Sequence, residues 1–383
     1  MNRILLIGNG FDLAHKLETK YEHFINDFWE QKTEKVYNEY IEQGKPSSSG
    51  NRNIQFSHKD DPDIQISTAH YSRTRGINFN SNNFGYNKFK DLISFICQTS
   101  DTKSVITNQF LIQISENFTL KNWVDIEVEY YTALKQCLEN KRLYGIVKLN
   151  DEFTSIKIYL EEYLKKQVIA DIVPLESILN LMDNIIPTAN LQHKERLPHL
   201  VSNVLFLNFN YTPTADCYAS YLKKGLGDHS DLIDSISIHG ELDNSENPII
   251  FGYGDELDET YKQLEDKNDQ DLLENVKSIK YLNTRNYQKM LAFINSSEYQ
   301  IIIMGHSCGI SDRTLLNTLF EHKNCKSIKI YYHKRENTTD DYSDIIKNIS
   351  RNFTDKELMR EIVTPKEDCE PLSSISKKIS EIK

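Results

Sequence analysis

The sequence has no excess of basic residues: 45 Lys and Arg stand against 56 Asp and Glu, a formal net charge of -11 over 383 residues. Binding along a nucleic-acid backbone draws its affinity from clustered Lys and Arg that release counterions. The acidic balance therefore excludes general nucleic-acid binding from the expected activities. The six cysteines, at positions 97, 137, 217, 308, 325 and 369, form no C-x-x-C pair. Such scatter predicts reduced thiols rather than a disulfide framework or a four-cysteine zinc site. No paired-carboxylate metal motif stands out, and His322-x-x-Cys325 supplies half a site at most, so no metal is expected. No stretch approaches the roughly 20 apolar residues of a membrane span. The apolar run at 3–7 is too short for a signal peptide and ends in Gly-Asn-Gly-Phe-Asp rather than a small-residue cleavage site. A soluble, cytoplasmic protein is expected. The sequence contains no internal repeat.

What is present is an ordinary globular composition, 39% hydrophobic and 26% charged. Short runs rich in Ile, Leu and Val predict strands at 3–7, 203–209, 235–238, 249–252, 300–304 and 327–332. They are continuously apolar rather than alternating, which predicts a sheet covered on both faces. A helix is predicted over about 14–38, and apolar spacing of three and four predicts helices over 86–98, 122–139, 152–168 and 174–185, with no strand between them. Residues 45–85, with Pro46-Ser47-Ser48-Ser49-Gly50 inside, read as a long loop, and the polar tail after Pro365 as a frayed end. The expected fold class is α/β and Rossmann-like: a largely parallel sheet with a large helical insertion after its first strand. In domain terms, 1–38 joins 200–350, 39–199 forms the insertion and 351–383 the tail. Ligands of such sheets bind outside the carboxyl ends of the strands.

Four clusters fall at those ends. The first is Gly8-Asn9-Gly10-Phe11-Asp12, between strand and helix. Its glycines allow a sharp turn and close approach, and the new helix offers free N–H groups to a phosphate. Leu13 stands where a G-x-G-x-x-G fingerprint has its third glycine, and no acidic strand end follows promptly, so hydride transfer is not expected. Asp12 serves either as a helix cap or as a group facing a ribose hydroxyl or a catalytic water. The second cluster is Asn208 to Thr214, with Thr212 as predicted N-cap, Pro213 as first helical residue and Gly225 as the helix stop. Asn210 there either orients a water or sugar hydroxyl or bonds the loop backbone. In the third, His239-Gly240, the imidazole is a candidate general base or a satisfied structural histidine. The fourth, Gly305-His306-Ser307-Cys308-Gly309, matches the G-x-S-x-G elbow of α/β-hydrolases, but Ser311 reads as the cap of a helix over 312–322. The loop serves equally as a second ligand-binding turn through Gly305, His306, Ser307 and Asp312. Within Trp123 to Tyr130, Glu127 is either a helix contact or a residue that reaches the site.

Gly8 to His15, Thr19, Tyr21, Asn208 to Thr212, His239-Gly240, Gly305 to Ser307 and Ser311-Asp312 together resemble the AbiH-type bacteriophage abortive-infection proteins. That family in turn looks similar to the sirtuin-like NAD-consuming fold. The resemblance implies an antiphage effector whose nucleotide-binding domain takes NAD as substrate or ligand and cleaves its nicotinamide–ribose bond. It implies that Asn210 positions a water and that His239 activates it or a ribose hydroxyl. Asp12, expected with them at the catalytic centre from its place in the turn, stands where those relatives often carry a small or hydroxyl residue. Gly8, Asn9, Gly10, Phe11, Gly305, His306, Ser307 and Asp312 would hold the nucleotide. Thr212 stands where those relatives carry an acid, and the four-cysteine zinc module of deacylases is absent, which favours glycohydrolysis over deacylation. A phage-derived trigger or partner defence protein and a homo-oligomer are the expected partners, with no membrane. The alternatives are a nucleotide-binding sensor without catalysis and a serine hydrolase using Ser307.

Overall fold

The computed structural model describes residues 1–43, 56–71, 79–121, 125–139, 143–168, 172–181, 185–187, 190–191, 199–254, 256–335 and 339–372. Among the described residues ten strands are present: β1 (Asn2–Ile7), β2 (Ser57–His58), β3 (Ile64–Tyr71), β4 (Ser100–Ile106), β5 (Ile185–Ile186), β6 (His199–Leu200), β7 (Val204–Asn208), β8 (Ile233–Ser237), β9 (Tyr299–Met304) and β10 (Cys325–Tyr331). The chain divides into two compact units, one of Met1–Thr19 with Leu164–Lys383 and one of Lys20–Tyr163.

The first unit holds a five-stranded sheet in the order β10-β9-β1-β7-β8, which counted in chain order within the sheet is the mirror listing of 3-2-1-4-5. Every neighbouring pair in it runs parallel. This is the doubly wound order, and its strand sequence reverses between β1 and β9. Alternation along β1 explains why the strand reads as uniformly apolar. Ile4 and Leu6 pack into one core with Leu205, Leu207, Ile301 and Ile303, while Leu5 and Ile7 pack into another with Phe206, Ile302 and Met304. Both faces are buried, so both are lined mainly by apolar side chains.

Helix α1 (Asn9–Ala14) leaves β1 directly, and α2 (Tyr21–Gln43) begins the second unit. The single helix expected over 14–38 is thus broken: Lys16 takes a positive φ of 65°, which ends the first helix. The stretch expected to be strand at 249–252 is instead a buried loop. Ile250 N–H donates to the His239 carbonyl and Tyr253 N–H to the Asn275 carbonyl, so its hydrogen bonds go to other loops rather than to a ladder.

The second unit contains α3 (Gly85–Thr99), α4 (Gln109–Lys121) and α5 (Ile126–Glu139), and α6 (Leu143–Gln167) begins in it and runs on into the first. It is not wholly helical, because β2, β3 and β4 form an antiparallel sheet in it with Ile64 opposite Ile106. The expectation of a loop over 45–85 and of no strand among the helices between 86 and 185 is corrected at these elements. Buried Ile64 and Ile66 flank exposed Gln65, an alternation that marks a half-covered strand. Pro46 to Gly50, Trp123 and the tail beyond 372 lie outside the described residues. Glu127 is buried in the first turn of α5. Among the described residues no helix is long and apolar enough to cross a membrane.

Candidate functional site

The turn after β1 and the turn after β9 meet where the strand order reverses, and they meet backbone to backbone. Gly10 N–H donates to the Gly305 carbonyl at 2.8 Å, Phe11 N–H to the Gly8 carbonyl at 2.8 Å, and Gly8 N–H to the Met304 carbonyl at 3.1 Å. Gly305 has φ +74°, and a Cβ there would fall 2.1 Å from Phe11 N; a Cβ on Gly8 would fall 2.5 Å from the His306 Cα. The glycines therefore let two loops interlock. The three N–H groups named are used within the protein, leaving the exposed side chains of Asn9 and Ser307 at the turns' surface. The side-chain Oδ1 of Asn9 accepts from the Thr19 hydroxyl.

Asp12 is buried inside α1 and does not cap it, since the cap position is Gly8. The Thr212 hydroxyl donates to Asp12 Oδ2 at 2.7 Å and lies 3.3 Å from the Thr214 hydroxyl. This corrects the expectation for Thr212: helix α7 (Thr214–Leu226) is capped at Pro213 without a side-chain bond, because the hydroxyl has a carboxylate to meet instead. The helix ends at Gly227, with φ 56°, rather than at Gly225. Among the described residues Asp12 Oδ1 is buried with no hydrogen bond. Burial pushes the carboxyl up from 3.8 to about 6, against the opposing effect of the Thr212 hydroxyl and the nearby polar groups of Thr214 and Asn210. Such a group is poised to exchange a proton near neutrality.

The shift has a consequence for stability. An acid whose folded pKa lies above its unfolded value binds, between the two, a proton that the unfolded chain has lost. Its contribution therefore weakens as pH rises from about 4 to about 6 and is gone above, a difference of about 3 kcal/mol. Asp12→Asn removes this titration. Denaturation of the variant and the parent from pH 4 to 8 is expected to show the parent losing stability relative to the variant across that window. Parallel curves would mean that Asp12 ionises as an ordinary carboxylate.

Asn208 and Asn210 fasten the loop after β7. Asn208 Oδ1 accepts from Asn210 N–H at 3.0 Å and its Nδ2 donates to the Thr212 carbonyl at 3.1 Å. Asn210 Nδ2 donates to the Gly8 carbonyl at 3.0 Å, tying this loop to the glycine turn. Phe209 stands between the two histidines, 5.0 Å from the His239 ring and 4.3 Å from that of His306.

Beyond Phe209 lies a buried ionic cluster. The Asp312 carboxylate receives Lys277 Nζ at 2.7 Å and faces His239 Nε2 at 3.3 Å on Oδ1, and His306 Nε2 at 3.5 Å on Oδ2. Lys277 is 1% exposed. Burial alone would push the Asp312 carboxyl up; Lys277 first and the imidazoles second override it and hold it well below the ordinary carboxylate range. Burial, then the Lys277 charge, pushes His239 below its ordinary 6.5, so the ring is neutral at neutral pH. Tyr281 stacks on His239 and its hydroxyl lies 3.1 Å from Nε2. Lys277 and Tyr281 carry no motif; they sit in a charged stretch where a buried lysine looks like any surface lysine.

Ser307 is exposed, and among the described residues no histidine bonds its hydroxyl. The positive φ that an elbow places on its nucleophile falls on Cys308, at 54°, whose buried thiol is pushed up by desolvation. Ser311 does not cap the next helix: a 3-10 turn at Ile310–Asp312 precedes the helix Arg313–Phe320, which is capped at Asp312. A cavity of about 300 Å³ opens beside these strand ends, lined by Tyr211 and Pro213 with Lys165, Asp216, Glu241 and Asp243 among others. Among the described residues no three His, Cys, Asp or Glu side chains are grouped to hold a metal.

Sheet order and the polar groups at its carboxyl edge define a Rossmann-like α/β protein. The chain belongs to the bacteriophage abortive infection AbiH family, whose model matches residues 4–334. Membership points to a role in abortive infection, a defence against phage. No curated protein and no solved structure matches the chain.

Proposed function

We propose that this chain is an abortive-infection effector that binds NAD, or a related nucleotide, at the carboxyl edge of the parallel sheet and hydrolyses its N-glycosidic bond. The observation that carries this reading is His239: neutral at neutral pH, held by a carboxylate through Nε2, at the carboxyl end of the edge strand β8 of the doubly wound sheet. The carboxyl ends are where doubly wound sheets take nucleotides. In the reaction a water oxygen bonds the anomeric carbon and its proton passes to His239. The carbon–nitrogen bond breaks with its electron pair going to the nicotinamide ring, which leaves neutral. Asp12 stabilises the oxocarbenium-like charge, and Asn210 holds the turn against which the water sits. Asn9 and Ser307 meet ribose and phosphate oxygens from the exposed side.

Purified protein incubated with NAD, alone and in phage-infected extract, is expected to release nicotinamide and ADP-ribose. Turnover that persists in both Asn210→Ala and His239→Ala would end this mechanism. A second reading, a sensor that binds a nucleotide without cleaving it, draws on the Thr212 hydroxyl that occupies Asp12. Thermal stabilisation by NAD or ADP-ribose with no turnover in either condition would favour it.

A further inference from the structure

Hydrogen positions at the buried cluster follow from acceptor chemistry. An ionised carboxylate only accepts hydrogen bonds, so each imidazole nitrogen that faces Asp312 must carry its proton there. His306 Nδ1 accepts the Cys308 N–H at 2.9 Å, which independently places the His306 proton on Nε2, toward Asp312 Oδ2. Both nitrogens of His306 are thereby occupied. His239 differs: Nε2 faces Asp312 Oδ1 and the Tyr281 oxygen, while Nδ1 makes no hydrogen bond among the described residues.

We propose that Lys277, through Asp312, is the positioning residue of this site: the ion pair fixes His239 in the Nε2–H tautomer and leaves Nδ1 as the proton acceptor. Lys277 lies at the start of a four-residue helix, Lys277–Lys280, on a segment separate from every strand of the sheet. Asp312 comes from the loop after β9 and His239 from the end of β8, so the pair bridges two strand ends through a third segment. Lys277 has a second effect on the same ring. Four titratable groups face His239: Asp312, Lys277, His306 and Tyr281. The Asp312 anion favours a charged imidazole, whereas the Lys277 ammonium opposes it, as does burial. Removing Lys277 leaves the anion uncompensated, so the ring then takes up its second proton at higher pH and ceases to be a base.

The inference rests on the catalytic role given to His239, but its test reads the ring directly. Nitrogen-15 NMR of the histidine side chains in the full chain is expected to show His239 protonated at Nε2 and unprotonated at Nδ1. Assignment comes from the signal lost in His239→Gln. Lys277→Met is expected to raise the His239 titration midpoint by about one unit or more, and Lys277→Arg to restore the parent midpoint. Asp312→Asn, isosteric and without the anion, gives the tautomer readout if Lys277→Met does not fold, and is expected to populate Nδ1–H. A parent His239 carrying its proton on Nδ1 overturns the inference. So does a midpoint that stays put in Lys277→Met, or a tautomer unchanged in Asp312→Asn. Absence of NAD turnover in the parent, with the tautomer as described, would remove the proposed reaction and leave the positioning intact.

Discussion

His239→Ala is expected to lower NAD turnover about 10²- to 10⁴-fold, the range for loss of a positioned general base. The effect belongs to kcat, because nothing in the arrangement makes the ring a binding anchor: it is buried, with Phe209 against one side and Tyr281 stacked on the other. In the parent, activity should fall on the acid side as His239 protonates, at a pH below its ordinary 6.5. The residual activity of His239→Ala should lack that limb. Added imidazole is expected to restore part of the rate, since the ring's removal leaves a space of its own shape between two aromatic residues. Steady-state kinetics from about pH 5 to 9 check all three points. Turnover within a few-fold of the parent would exclude His239 as the base.

Legibility in the sequence followed burial and locality. β1, β7, β9 and β10 were readable because both sheet faces are covered, so each strand is a plain apolar run. The same signal misleads at 249–252, where Ile249, Ile250 and Phe251 are buried by a loop that makes no ladder. β3 and β4 went unread because Ser, Thr, Gln and Lys fill much of two strands whose pairing is non-local. Strand ends also located most of the polar groups, from Asp12 to Asp312, because parallel strands bring every carboxyl end to one edge. The cap expected at Thr212 was misplaced for a tertiary reason. A hydroxyl such as that of Thr212 is assigned by local spacing, yet a carboxylate 200 residues away competes for it and wins. Lys277 was illegible for the same reason carried further: its burial and its partner are both tertiary facts.

Asp312→Ala is expected to be the most destabilising single substitution of the cluster. It leaves the Lys277 ammonium, 1% exposed, with its carboxylate gone, and removes the acceptor of two imidazole N–H groups. Breaking a buried pair from one side costs about 3–5 kcal/mol. Lys277→Met is expected to cost less, because Asp312 keeps both imidazoles and His239 can supply the missing positive charge. That rescue has a definite pH dependence. With Lys277 gone the Asp312 anion is no longer opposed, so the folded pKa of His239 moves up from its depressed value in the parent. Lys277→Met should therefore hold the imidazole proton to higher pH than the parent does, and lose stability relative to the parent as pH rises. Asp312→Ala should do the reverse, because a proton on His239 then adds a second positive charge beside Lys277 with no carboxylate between them. The double variant Lys277→Met/Asp312→Leu removes both charges and is expected to lose about 1–3 kcal/mol less than the two single losses added together. Hydrogen exchange of the β1 and β9 amides reads the unit that contains the cluster, which avoids treating a two-unit chain as one transition. Additive losses, or an Asp312→Ala cost below about 1 kcal/mol, would mean that Lys277 and Asp312 interact as a solvated surface pair rather than as the buried ion pair on which His239 depends.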